Sequence, residues 1–366
     1  MNEIRNEKRI LFAGGGTAGH LMPAINIAME MQRQSKEFRA LFVGKKQGIE
    51  SGLVKKFGFE CREIEVVAMK RSLKGILNFI LRWRIGIRQA AALIAEFKPV
   101  AIVGTGGYLA APVVSSGSKA GIPIFLQEQN SLPGLATRTL AGKAKMIFTA
   151  YESASRYLPA DKCRLVGNPI RPGLLERYKK ESLLKFNLSD SENALLVLGG
   201  SSGAHAVNEI MLGIIKDALI PKGWQLLWQT GEKDFKYISN EIIKLPFNGK
   251  VLAFIDDMPS AYAASDLILS RAGAMALSEI TAVGIPSILI PFPHATGDHQ
   301  TLNARELEKA GAAVVMSENE MTSKLRATLI HLMQDSELRR RMGSKAKELG
   351  KPQAAETIAK AILDRI

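Results

Sequence analysis

The chain alternates short apolar runs with longer stretches whose apolar residues recur every three or four positions. Short apolar runs bounded by glycine, proline or polar clusters read as strands buried on both faces, and the stretches between them as amphipathic helices. In the first half this pattern predicts strands over Arg9–Ala13, Ala40–Val43, Glu63–Val67, Val100–Val103, Ile122–Leu126, Lys145–Thr149 and Arg164–Val166, with helices such as Ala24–Gln34 and Trp83–Phe97 between them. The second half starts again, with strands predicted over Ala194–Leu198, Gln225–Gln229, Val251–Phe254, Leu267–Leu269, Ser287–Ile290 and Ala313–Met316, most of them followed by a helix. After Met342 the chain reads as polar, then as a last helix over Gln353–Ile366. Alternation of this kind is the βαβ signature of parallel sheets with helices on both faces.

A glycine-rich turn marks the same point in each half. Ile10–His20 (ILFAGGGTAGH) and Leu195–Ala204 (LLVLGGSSGA) are each a buried strand that ends in glycine and opens a helix. Glycine accepts a positive φ there and lets backbone N–H groups approach a ligand. The expected fold is therefore α/β, two Rossmann-like domains whose parallel sheets face a central cleft. The boundary is expected in Val166-Gly167-Asn168-Pro169, with a first domain over 1–168 and a second over 169–350. The segment 351–366 is long enough to pack back on the first domain.

Composition narrows the class. With 366 residues, 46% apolar and 23% charged, the chain suits two globular cores. Cys61 and Cys163 lie far apart on predicted strands, so buried free thiols in a reducing compartment are expected, not a zinc site or disulfide framework. The apolar run before the first glycines is too short for a signal peptide, and no run approaches the ~20 residues of a spanning helix. A cytoplasmic protein, or one on the cytoplasmic face of a membrane, is expected. The net charge of +14 favours an anionic partner.

Ligands of open parallel sheets bind beyond the carboxyl ends of the strands, so the turns carry the candidate chemistry. Gly14, Gly16 and Gly19 satisfy the G-x-G-x-x-G spacing, but Val43-Gly44-Lys45 stands where a ribose-binding acid would follow, which argues against a dinucleotide. His20 could accept a proton near neutral pH or simply hydrogen-bond the turn. Gly104–Tyr108 and Glu128-Gln129-Asn130 should reach the same sheet edge, with groups able to bind sugar hydroxyls. In Ser270–Glu279 a small-residue turn opens a helix whose free N–H groups would attract a diphosphate. Glu279, a little over one turn in, could hold a ribose or be a solvated helix residue. Phe254–Met258 reads as a strand end whose backbone meets a flat base, and Pro291–Gln300 as a polar loop that reads sugar hydroxyls. Asp257 and Asp298 could equally be helix caps. The chain has no Asp-x-Asp pair to hold a divalent ion, so helix dipoles, hydroxyls and Arg171 are expected to neutralise a diphosphate without metal.

From Val66 to Ala95 there is no acidic residue. Lys70, Arg71, Lys74, Arg82, Arg84 and Arg88 accompany an apolar face of Ile76, Phe79, Ile80, Trp83 and Ile87. This reads as a helix resting on an anionic membrane surface, or as a core helix with a solvated basic face. The aromatics do not alternate with the basic residues, which disfavours nucleic acid.

In order along the chain, GGGTAGH, GTGGY, EQN, VGNPIR, GGSSGA, FIDDM, SRAGAMALSE and PFPHATGDHQTLNA resemble the motifs of the MurG family, bacterial N-acetylglucosaminyltransferases that form lipid II of peptidoglycan. The resemblance implies a GT-B fold without a cofactor. It also implies inverting transfer of GlcNAc from UDP-GlcNAc to the 4-hydroxyl of MurNAc in lipid I. Thr17, Ala18, Gly19, Asn130, Arg171, Ser201, Ile255, the stretch Ala274, Met275, Ala276, Leu277, Ser278 and Glu279, and Gln300 would contact the donor. His20, with Tyr108 and Glu128, would lie on the acceptor side, His20 as general base. A peripheral place on the cytoplasmic face of the inner membrane is implied, beside other cell-wall synthesis proteins and not nucleic acid. Three positions depart from the family pattern: Ala18 replaces a glycine, Ser202 a frequent glutamine and Gln127 a frequent histidine. Ala18 is therefore expected to avoid positive φ, and position 127 to have a weakened acceptor role. Two rival readings are a UDP-GlcNAc 2-epimerase of similar fold and a non-catalytic nucleotide-sugar sensor at the membrane.

Overall fold

The computed structural model describes residues 7–67, 73–200 and 203–366, with side chains for all of these except 73–80. The chain forms two compact units, one of residues up to Pro172 together with Pro352–Ile366, the other Gly173–Lys351. The division falls four residues beyond Asn168, which puts Arg171 in the first unit.

The sheet of the first unit is parallel, with strands β1 (Lys8–Gly14), β2 (Phe38–Lys45), β3 (Glu60–Ile64), β4 (Ala101–Gly106), β5 (Ile124–Glu128), β6 (Met146–Thr149) and β7 (Cys163–Leu165) in the order β3-β2-β1-β4-β5-β6-β7. Helices α1 (Ala18–Gln34), α2 (Glu50–Lys56), α3 (Leu73–Phe97), α4 (Ala110–Lys119) and α5 (Leu135–Leu140) connect them. Side chains alternate across a strand, and β1 shows what that does. Ile10 and Phe12 join Leu21, Ala24 and Ile25 of α1 in one core, while Leu11 and Ala13 join Ala90, Ile94 and Val113 of α3 and α4 in the other. The C-terminal helix Ala354–Leu363 closes the first of these cores through Ile358, Ala359 and Ile362. Full burial of each isoleucine contributes about 1.5–3 kcal/mol.

The second unit repeats the plan. Strands β8 (Asn193–Leu198), β9 (Trp224–Gln229), β10 (Gly249–Leu252), β11 (Leu267–Ser270), β12 (Ser287–Leu289) and β13 (Ala313–Val315) run parallel in the order β10-β9-β8-β11-β12-β13. Helices α6 (Lys179–Lys185), α7 (His205–Lys216), α8 (Glu232–Ile242), α9 (Met258–Ala263), α10 (Ala274–Val283), α11 (His299–Lys309), α12 (Glu318–Gln334) and α13 (Ser336–Leu349) complete it. Leu195 and Val197 of β8 pack with Met211, Ile214 and Ile215 of α7 and with Leu325 and Leu329 of α12.

Several expectations are corrected. Helix α1 starts at Ala18 and not Ala24, so the glycine turn leads straight into it and Pro23 is its sixth residue. Helix α3 starts at Leu73, ten residues before Trp83. β3 lies three residues earlier than expected because Val66 is buried by packing rather than by the ladder, and β10 ends at Leu252, short of Phe254, which is exposed. The polar run after Met342 is helical to Leu349: Asp335 caps α13 by accepting from Leu338 N (2.8 Å), and Met342 and Ala346 suffice for its buried side. Both cysteines are free and only half-buried. Burial, with Glu50 and Glu63 nearby, pushes the Cys61 thiol up to about 12, so it stays protonated.

In both sheets the strand order reverses direction beside the first strand of the unit, at β1/β4 and at β8/β11. Such switch points are where open α/β sheets leave a crevice for ligands.

Candidate active site

At the first switch point Gly14 pairs with Gly106, which brings the turns after β1 and β4 side by side. Gly16 takes φ +87°, and its N–H donates to Glu50 Oε1 (2.6 Å). Glu50 is 1% exposed and its Oε2 has no partner, so a buried carboxylate supports the turn from below. No pattern in the sequence distinguishes it from an ordinary first-turn glutamate of α2. Thr17 is the N-cap of α1, extended and without a side-chain cap bond; Thr17 and Gly19 are exposed.

His20, in the first turn of α1, is half-buried, and its Nδ1 lies 2.9 Å from Gln129 Oε1. Thr105 Oγ1 donates to the His20 carbonyl (2.7 Å). A Cβ on Gly106 would lie 2.9 Å from His20 Nδ1, and one on Gly107 would lie 2.2 Å from the Gly15 carbonyl. These two glycines of GTGGY are therefore demanded by the imidazole and by the first turn. The Tyr108 ring lies over Gly16, 3.1 Å from where its Cβ would be. Glu128 is buried, and its carboxylate accepts from Asn130 N (3.0 Å), Asn130 Nδ2 (3.1 Å) and Gly134 N (3.2 Å). It organises its own loop, and Asn130 is folded onto it.

At the second switch point Leu198 pairs with Ser270. Gly200 and Gly203 take φ +84° and +78°, and a Cβ on Gly203 would lie 2.3 Å from the Thr230 carbonyl. Ser201 and Ser202 lie outside the described residues. Gly273 caps α10 without any side-chain bond, and the first turn holds no acidic residue. The N–H groups of Ala274, Met275 and Ala276 thus form the positive end of a helix dipole. Leu277 differs: its side chain is in the core and its N–H donates to Gly273 O (3.0 Å). Glu279 is 3% exposed, which excludes the solvated alternative. Arg271 is committed to Glu318 (2.6 Å) and lies over the Phe292 ring, so it braces the turn.

Ile255 follows β10 by three residues, in a loop and not at a strand end. Its N–H donates to Gln229 Oε1 (2.9 Å), while Gln229 Nε2 donates to Gly200 O (2.9 Å). Gln229, which the sequence did not single out, thus ties Ile255 to the glycine turn. Gln300 Oε1 accepts from Phe292 N (2.9 Å) and holds the loop before α11. Asp257 caps α9 by accepting from Ser260 N (3.2 Å). Burial raises its pKa, but Lys185 and Ser260 outweigh that and hold it at about 2.

Both halves match the models of one family, the glycosyltransferase family 28 N-terminal domain over residues 10–149 and its C-terminal domain over 194–358. The chain is 38% identical to a UDP-N-acetylglucosamine–N-acetylmuramyl-(pentapeptide) pyrophosphoryl-undecaprenol N-acetylglucosamine transferase of Myxococcus xanthus, covering 97% of this chain and 92% of that one. Its identity to the protein of that name from Bacillus subtilis is 35%, over 95% and 96% of the two chains. The crystal structure of Acinetobacter baumannii MurG superposes with a TM-score of 0.78 at 25% identity, covering 98% of this chain and 99% of that one. The chain belongs to the MurG family. A UDP-GlcNAc 2-epimerase from Neisseria meningitidis also superposes, with a TM-score of 0.68 over 97% of this chain and 99% of that one, but at 15% identity it shares only the fold.

Two departures from the MurG pattern now have physical answers. Ala18 is the first residue of α1, and the positive φ falls on Gly16, so no glycine is needed at 18. Gln127 is fully buried and bonds Asn168 Oδ1 (2.8 Å), so it works inside the domain. Of the basic apolar stretch, Lys70 and Arg71 lie outside the described residues, as do the side chains of Lys74, Ile76, Phe79 and Ile80. Beyond them Leu81, Arg84 and Arg88 are exposed, Arg82 pairs with Glu65, and Trp83 is half-buried. Ala90, Ile94 and Phe97 are core. Among the described residues no helix is long and apolar enough to cross a membrane.

Proposed function

We propose that this chain transfers GlcNAc from UDP-GlcNAc to the 4-hydroxyl of MurNAc in lipid I, with inversion at the anomeric carbon. The observation that carries the reading is the uncapped N-terminus of α10 at the second switch point, with Glu279 buried one turn in. An anion-binding helix end beside a carboxylate suits a nucleoside diphosphate, the donor class that the relatives' name carries. The diphosphate sits on the N–H groups of Ala274–Ala276, the ribose on Glu279 and the uracil on the Ile255 carbonyl, with Gln300 toward the sugar. The acceptor oxygen forms the new bond to C1 as the bond from C1 to the diphosphate oxygen breaks. UDP leaves with that electron pair, and the hydroxyl proton passes to His20. Tyr108 shapes the acceptor side, and Glu128 acts by holding Asn130.

The exposed basic and apolar residues of α3, Leu81, Arg84 and Arg88 among them, rest on anionic lipid of the cytoplasmic face, each cation contributing about 1 kcal/mol. The decisive assay is UDP release from UDP-GlcNAc with and without a soluble lipid I analogue. Release that depends on the analogue supports transfer; conversion of UDP-GlcNAc without acceptor supports epimerisation instead. Because the chain lacks an Asp-x-Asp pair, activity should persist in excess EDTA, and loss restored by magnesium would contradict metal-free stabilisation of the leaving group.

A further inference from the structure

We propose that Gln129 is a positioning residue that fixes the tautomer of His20, with the proton on Nδ1 and the lone pair on Nε2. The inference rests on the reading of His20 as the base, and it comes from a chain of buried amides whose polarity is set at both ends by backbone.

Gln129 Nε2 donates to Thr105 O (2.8 Å) and to Gln127 O (3.1 Å). Backbone carbonyls only accept, so this end of the side chain is the NH2 and the other is the oxygen. That oxygen faces His20 Nδ1 at 2.9 Å, and an oxygen without hydrogen requires a proton on Nδ1. From the far side, Asn168 Nδ2 donates to Gln129 O (3.1 Å), which makes Asn168 Oδ1 the acceptor for Gln127 Nε2 (2.8 Å). Gln127 Oε1 is then an acceptor as well, and Gln129 Nε2 also bonds it. Every link agrees: donation runs from His20 to Gln129, Gln127 and Asn168. Gln127, Gln129 and Asn168 are all at most 2% exposed, so water does not compete for the links.

The ring is fixed as well as protonated on one side. Thr105 bonds the His20 carbonyl through its hydroxyl and the Gln129 amide through its own carbonyl. Gly106 and Gly107 flank the ring, where a Cβ would come within 2.9 Å of Nδ1 and 3.3 Å of Cδ2. A free imidazole favours the proton on Nε2, which cannot act as a base. The amide chain reverses that preference without placing a charge beside the ring. When His20 takes up the hydroxyl proton, the aligned amide dipoles stabilise the imidazolium through Nδ1–H. Gln127 thus has a role here that the family's histidine pattern does not anticipate.

Full-length protein labelled with 15N at histidine reports both ring nitrogens by NMR, with His20 assigned by the loss of its signals in His20→Gln. The wild type should show Nδ1 protonated and Nε2 bare at a pH where the ring is neutral. In Gln129→Met, which removes the acceptor at similar volume, Nε2–H should appear, and kcat should fall about 10–100-fold with the UDP-GlcNAc KM within about twofold. A wild-type ring protonated on Nε2 would overturn the assignment, and that spectrum decides even if the variant does not fold. An unchanged tautomer in folded Gln129→Met would overturn the role of Gln129. If instead His20→Ala turns over normally, the base reading fails while the NMR still reports the tautomer.

Discussion

The two switch-point turns share a backbone plan and differ in what surrounds it. Each follows the first strand of its unit, and each opens a helix with no side-chain cap and no acidic residue in its first turn, at α1 as at α7. Around the first turn lie His20, the buried carboxylates of Glu50 and Glu128, and a closed set of amides. Around the second lie the bare N–H groups of α10, a single buried carboxylate, Glu279, and an arginine already neutralised by Glu318. Under the proposed function, one turn moves a proton and the other holds an anion. The same glycine-rich start thus serves two chemistries, and the difference lies in residues brought in from other strands. In each unit a glutamine at or just past a strand end does much of that work, Gln129 on His20 and Gln229 between Gly200 and Ile255.

The sharpest way to break this division of labour is His20→Ala. Turnover should fall by about 10²–10⁴ while the KM for UDP-GlcNAc changes little. Steady-state kinetics with a soluble acceptor decide it, and a large change in donor KM would erase the distinction between the turns.

A matched pair of glycine substitutions comes next. Gly107→Ala drives a Cβ into the Gly15 carbonyl at a φ of +77°, so it should destabilise the first turn by about 1–3 kcal/mol or more and abolish activity with it. Gly273→Ala meets nothing within 4 Å and has a φ of −65°. It should leave the melting temperature unchanged but crowd the anion site, raising the donor KM on the order of 10-fold, the equivalent of about 1–2 kcal/mol. Thermal melts and donor titrations of the two variants separate fold from binding.

Glu50→Leu sharpens the role of the buried carboxylate. Removing an orphaned carboxylate oxygen offsets the lost bond to Gly16, so the melting temperature should move little. Turnover should drop on the order of 10-fold as the turn is released. A large fall in melting temperature with activity retained would make Glu50 a purely structural residue.

The smallest effect is expected at Asp257, in the second unit. Its carboxyl lies at about 2 when folded, against an ordinary value of 3.8. Its stabilisation is present above the ordinary value and is lost as the pH falls through about 2. Asp257→Asn should therefore be slightly less stable than wild type at neutral pH, and the gap should close between pH 4 and 2 in acid unfolding curves. A gap that persists at the lowest pH would assign the effect to the cap geometry alone.

What the sequence made legible follows from the range of the interactions involved. The apolar runs of β1 and β8 and the glycines beside them report local demands, and those strands and turns lie where the pattern put them. The sequence singles out Glu279 by its place a little over one turn into α10 but leaves its burial open, and the structure settles it at 3% exposed. By contrast, Glu50 is 34 residues from the Gly16 it supports, and Gln129 is 109 from His20. Nothing local marks either side chain as buried. The start of α1 was missed because glycines and Pro23 mask a helix that the switch-point turn initiates. The polar length of α13 hid a helix that needs little buried surface.

The most direct test of the division between the two turns is a crystal structure of the chain with UDP bound. The diphosphate should lie on the N–H groups of Ala274–Ala276, the ribose against Glu279 and the base at the Ile255 carbonyl, with His20 untouched by the nucleotide. UDP seated instead on the Gly14–Thr17 turn beside His20 would contradict it.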